Sequence, residues 1–457
     1  MRRPIWVLGM RALEIDVRRE GRGPDEPMGV LIGSHETVFT RLIRHGANAP
    51  EDYLEAPPGQ MAFWLVDNWW RLLAECVPSS GPTPDWRLAH DLSSMSGFAW
   101  PRMAIWGEGD RIGLSSRSDP TGVVGPVRYL TDALVYIPSD EFARSALSFV
   151  EQVGSRGAGI ASDWAALKAQ LDTLENELAD AELSEWRRLE AQLGYDVDEA
   201  PDKLLEALGR IGQDYGIAAV AEAALATQGA SAAAVLSSEI NSAMSQHWQC
   251  DLTRTALMVG EIDRTSGEAP WELGEKAAAV VRSLARYEKG PLSNAALGEI
   301  LGVRSGAFRS SQATRPSQRA YGLRLNTGRK RGEVVSLATS WSADRRFEFA
   351  RALGDAIWTQ GEKLGPITRT KSERQKFQRA FAQSLLCPYD DLVAYIGRDA
   401  SDGALSAAAR HFLVSERVVR TLLVNKHQLA RSRLNNSLPP SLRLSSEVSF
   451  EEAVEAA

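Results

Sequence analysis

The sequence predicts a mainly helical α+β chain in parts: an N-terminal α+β domain over 1–150, a helical region over 151–255, a further domain over 256–435 and a mobile tail over 436–457. Three observations carry this. Short alternating apolar runs bounded by turn residues fill the first 150 residues; an amphipathic repeat runs from Asp163; and two strand-like runs, 321–325 and 333–337, sit among helical stretches beyond Trp271.

Taken in order, 5–10 and 13–17 alternate as strands do. Residues 61–75 read as one buried helix, with Phe63, Val66, Trp70 and Leu73 near helical spacing. Segments 98–106 and 111–115, joined through Gly107 and Gly109, form a β-hairpin pattern. A short strand at 134–137 leads into a helix with Ser139 as its N-cap. Leu167, Leu171, Leu174, Leu178 and Leu183 mark one amphipathic helix over 163–190. Asp196, Asp198 and Glu199 fall in a turn, without the twelve-residue loop and closing Glu of a calcium site. Ala-rich stretches 218–226 and 232–244 read as bundle helices broken near Gly229.

Composition sets outer limits. A chain of 457 residues, 44% hydrophobic and 24% charged, is ordinary for a soluble multi-domain protein. No apolar run approaches the ~18 residues of a membrane span, and no signal-peptide core follows Met1. Cys76, Cys250 and Cys387 are far apart and odd in number, which suits a reducing compartment. The expectation is a cytoplasmic protein with no membrane association. Net charge is -7, yet residues 302–438 carry 24 Lys and Arg against 11 Asp and Glu. Such a basic stretch suits nucleic acid or an acidic partner.

Chemistry-bearing patterns are few. The sequence has no phosphate-binding glycine loop and no nucleophile elbow, and none of its six histidines lies three or four residues from another. His247 and Cys250 are three apart, so on a helix they would touch. Trp64, Trp69, Trp70, Trp86, Trp100 and Trp106 form either a stacking pocket, with Asp67, Asn68 and His90 as its polar groups, or a compact core. Residues 406–425 have the pattern of two short helices around a tight turn, with Ser415 capping the second. Arg410, Arg417, Arg420 and Lys426 decorate that pair and make it a candidate nucleic-acid-binding surface.

The most informative run is Phe347-Glu348-Phe349-Ala350-Arg351-Ala352-Leu353-Gly354-Asp355. A zinc-peptidase helix carries His-Glu-x-x-His, two ligands on one face and a general base. Here Arg351, Ala352 and Asp355 stand at those positions inside a similar apolar frame. With Pro270-Trp271-Glu272-Leu273-Gly274, Phe381-Ala382-Gln383-Ser384-Leu385-Leu386-Cys387-Pro388 and Phe412-Leu413-Val414-Ser415, residues 270–430 resemble the ImmA/IrrE family of zinc metallopeptidases. The third ligand position of that family falls at Gln375, with Glu373 two residues further back.

The resemblance implies a zincin-type C-terminal domain whose zinc motif is degenerate. Arg351, Ala352, Asp355 and Gln375 would be vestigial zinc-site positions, with no catalytic residue, no metal and no cofactor. An ion pair of Arg351 with Asp355, at i and i+4, would fill the metal's place. It further implies a bacterial pseudo-peptidase that regulates by binding a protein partner, such as a helix-turn-helix regulator, in mobile-element or stress responses. The alternatives are a nucleic-acid-binding transcriptional regulator and an active metallopeptidase cleaving a helix-turn-helix repressor.

Overall fold

The computed structural model describes residues 13–18, 28–35, 37–122, 125–156, 163–245, 247–264, 267–309, 319–328 and 332–437. The strand reading at 5–10 and the tail from 438 lie outside them. The chain is mixed α+β, with many helices and small antiparallel sheets. It divides into two compact units at Ala200 and Pro201. The helical stretch read over 151–255 is therefore shared between the units.

In the first unit, Met28–Ser34 pairs antiparallel with Glu14–Arg18, Thr37–Val38 and Leu54–Ala56. Every residue of Met28–Ser34 is buried, as a central strand requires. A second sheet is the expected hairpin, Met103–Gly107 with Arg111–Ser116, joined by Ala133–Pro138. The segment read as one helix over 61–75 is two, Pro58–Asp67 and Trp69–Ala74. Asn68 separates them: its side-chain amide donates to the Trp64 carbonyl (2.8 Å), the local competition that makes Asn a poor helix-interior residue. The repeat from 163 to 190 is likewise two helices, Asp163–Ala179 and Ala181–Gln192. Asp180 caps the second by accepting from the N–H groups of Glu182 and Leu183. Ser139 is the first residue of its helix, Ser139–Arg156.

The second unit opens with three helices, Asp202–Tyr215, Ile217–Thr227 and Ala232–Ser245, broken at Gly216 and Gly229, which both take positive φ. Its sheet runs in the order Trp248–Cys250, Glu333–Ser336, Gly322–Asn326, Leu364–Ile367, all antiparallel. The Ser342–Trp358 helix packs beside this sheet and against the Glu373–Leu386 helix, within one large core cluster. The Pro270–Leu284 helix crosses Glu373–Leu386 closely at Gly274, where a Cβ would meet the Phe377 carbonyl oxygen at 2.7 Å. The expected helix pair is present as Asp402–Phe412 and Glu416–Asn425. Among the described residues no single helix is long and apolar enough to cross a membrane. One bent pair, Ile217–Thr227 with Ala232–Ser245, meets that test only jointly.

Candidate functional site

Arg351, Ala352 and Asp355 sit on the Ser342–Trp358 helix, held between the sheet and the Glu373–Leu386 helix. Helical spacing puts Arg351 and Asp355 on one face. The Glu373–Leu386 helix, capped by Ser372, brings Arg374, Gln375 and Gln378 against that face. Positions more than twenty residues apart thus converge. One Arg351 nitrogen, Nη2, donates to the Thr368 carbonyl (2.6 Å), to Gln378 (3.1 Å) and to the amide oxygen of Gln375. Gln378 then donates onward to Asp355 (2.7 Å), so one glutamine links the two motif residues.

The expected ion pair between Arg351 and Asp355 is not formed. Asp355 is fully buried, and its oxygens accept from Arg324 (2.8 Å) and Arg374 (2.7 Å) instead. Those two arginines extend the pairing into a wider chain that ends on carboxylates: Arg324 also holds Glu333 (2.9 Å) and Arg374 holds Glu362 (3.0 Å). A guanidinium from the sheet and one from the next helix approach Asp355 with better geometry than a side chain one turn away on its own helix. Burial pushes the Asp355 carboxyl up, but the charges of Arg374 and Arg324 prevail and hold it below the ordinary carboxylate range.

Arg351 has the opposite surroundings. Its three acceptors are all uncharged, and its Nε is buried without a partner. Burial, then the like charge of Arg379, pushes the guanidinium below its ordinary value, while Glu348, Asp355 and Glu222 act in the other direction. Gln375 is closed off by the Thr368 N–H and the Pro366 carbonyl (both 2.9 Å). Ala352 is a core residue with no exposure. Arg351, Ala352, Asp355 and Gln375 are all buried. A guanidinium and an amide are also the wrong donors for zinc, which takes imidazole, thiolate or carboxylate. Among the described residues, no three His, Cys, Asp or Glu gather as a metal site.

The other candidate residues are dispersed or committed. The six N-terminal tryptophans are all buried, so they build a core and not a stacking pocket. Asp67 accepts from Gln170 (2.9 Å) and Asn68 donates to Trp64, whereas His90 is elsewhere, stacked on Trp86 with its ring nitrogens facing Ile105 O (2.6 Å) and Glu75 (3.0 Å). The pocket read from Asp67, Asn68 and His90 is therefore not assembled. His247 and Cys250 do not form a couple, since Cys250 ends a strand, where residues three apart face opposite sides, and burial pushes its thiol up.

On the helix pair, Ser415 occupies the N-cap position without making a side-chain cap bond. Arg410 and Arg417 are exposed. Arg420 is buried and engaged by Asp402 (3.0 Å) and Glu416 (3.5 Å), and Lys426 by Glu275 (2.8 Å). Only half of the proposed basic surface is thus available.

Sequence reasoning missed Arg324, Glu333, Arg374 and Gln378. Two of them left a signal: Arg324 interrupts Leu323 and Leu325 inside a strand, and Glu333 opens the next. Charges inside buried strands need partners. No protein-family model, no characterised protein and no solved structure matches the chain.

Proposed function

We propose that this is a cytoplasmic regulatory protein whose C-terminal part is a zincin-type, ImmA/IrrE-like domain that has lost catalysis and acts by binding a protein partner, such as a helix-turn-helix regulator of a mobile element or stress response. One observation carries the reading. Arg351, Asp355 and Gln375 are the three positions at which the resemblance expects zinc ligands, and they converge although they come from two helices: Arg351 donates directly to Gln375, and Gln378 links Arg351 to Asp355. Convergence supports the resemblance, and the chemistry of the converging groups supports inactivity: a cation and an amide stand where lone pairs for a metal are needed.

The nucleic-acid alternative is weaker, because Arg420 and Lys426 are held in internal ion pairs. The test is metal content of the purified, tag-free protein by mass spectrometry, with a zinc titration and a cleavage assay against helix-turn-helix repressors. The expected result is no stoichiometric zinc and no cleavage with zinc added. One tightly bound zinc, or zinc-dependent cleavage, would overturn the proposal.

A further inference from the structure

Where the Ser342–Trp358 helix begins beside the Asp402–Phe412 and Glu416–Asn425 helices, the surface opens into a groove of about 480 Å³. Ala343, Ala409, Leu413 and Val414 supply an apolar lining, and Arg410 and Glu416 supply the charges. We infer that this groove takes an acidic, apolar segment of a protein partner. The inference rests on the partner-binding function proposed above and gives it a place and a chemistry.

The groove is built on a fixed frame. Leu413 ends its helix in the left-handed region (φ 55°), which leaves its side chain 43% exposed at the turn. Arg346, fully buried in the Ser342–Trp358 helix, donates to the Leu413 carbonyl (3.1 Å) and ties that turn to the opposite wall. A bulky apolar residue in a left-handed turn is costly, so something other than backbone preference holds it there. Trp341, directly before the first wall residue, is 73% exposed. Leu413 on the groove wall and Trp341, next to the wall in the chain, are both large exposed apolar side chains, a pattern more typical of a contact surface than of a solvated one.

Charge selects the occupant. Glu416 is already engaged: it accepts from the Ser406 hydroxyl and faces Arg420 at 3.5 Å. Asp344 is half-buried, with Arg417 as its nearby countercharge. Among the described residues, the Arg410 side chain on the groove wall makes no hydrogen bond or ion pair, so the uncommitted charge at the groove is positive. A segment with carboxylates flanking an apolar side chain would meet both features. A nucleic-acid strand would find only two cations here, where backbone tracking relies on several phosphate contacts.

The test is fluorescence anisotropy of the full chain with a labelled synthetic peptide of alternating glutamate and leucine. The controls are the same peptide with lysine for glutamate and a labelled oligothymidine. The glutamate peptide should bind, and the Arg410→Glu, Arg417→Glu double variant should weaken it by about tenfold. Leu413→Asn, which suits the left-handed turn and so preserves folding, should weaken it as well. Absence of glutamate-peptide binding, equal binding of the lysine peptide, tighter binding of oligothymidine, or wild-type binding by the charge-reversed variant would each overturn the groove. Zinc content of the same preparation separates the two ideas. Zinc-free protein that ignores the peptide sinks the groove alone, and zinc-loaded protein sinks the proposed function whatever the peptide does.

Discussion

In the first unit one cation serves three acids, and in the second one acid is served by two cations. Arg71 is buried, and it holds Glu75 (2.7 Å), Asp85 (2.8 Å) and Asp196 (3.1 Å). Two of those acids are mostly in water, at 67% and 51% exposure. Asp355 has no exposure, and the guanidinium groups of Arg324 and Arg374 are almost as deeply buried. The first network reaches solvent through Asp85 and Asp196, which keep much of their hydration, while Arg71 and Glu75 are buried. The second is buried at its centre and reaches solvent only at its rim, through Glu362, and its central members depend on one another. A buried charge is tolerated where its partners are complete, and Asp355 meets that condition through Arg324 and Arg374.

The sharpest way to break this comparison is Asp355→Ala. It leaves two arginines buried without their shared carboxylate, and urea unfolding should show a loss of about 3–5 kcal/mol. A loss near that of a surface substitution would mean that the buried arginines do not depend on Asp355. Arg71→Ala should cost less, about 1.5–3 kcal/mol, because Asp85 and Asp196 regain water and only Glu75 stays buried, with His90 still beside it. Equal losses from the two variants would erase the distinction.

The smallest effect is in the pH dependence. Burial pushes the Glu75 carboxyl up, but His90 and Arg71 prevail and leave it lowered, as Arg374 and Arg324 do for Asp355. A lowered carboxyl contributes stability that is complete above its unfolded value near ~4 and is lost as pH falls through the folded value. Wild-type stability should therefore fall on acidification below about pH 4, and Asp355→Ala should fall less steeply over the same range. Identical slopes in urea titrations at successive pH values would assign the acid sensitivity to other groups.

Much of the second unit was legible because its signals are local. The helix at Pro270 carries its proline at the first turn; the strands at 321–325 and 333–337 flank a polar turn; and the Asp402–Phe412 and Glu416–Asn425 helices show their apolar periodicity. Breaks inside long periodic stretches were harder to read. Asn68 and Asp180 split helices because their side chains bond nearby backbone, which apolar spacing does not register. The candidate site was half legible. Arg351, Asp355 and Gln375 were named from a motif, and they do converge. The pairing of Asp355 was misassigned, because spacing along one helix favoured Arg351 while the competing arginines come from a strand and another helix.

By itself the sequence determined the α+β class, the placement of many of the helices and the lack of any histidine three or four residues from another, since each depends on neighbours in the chain or on composition alone. Tertiary structure alone decided that the tryptophans are core, that Arg420 and Lys426 are held in ion pairs while Arg410 and Arg417 stay exposed, and that Asp355 belongs to Arg324 and Arg374. The physical reason is common to all three: a long side chain takes whichever partner the fold brings within hydrogen-bond reach, and in a buried site desolvation makes that choice nearly exclusive.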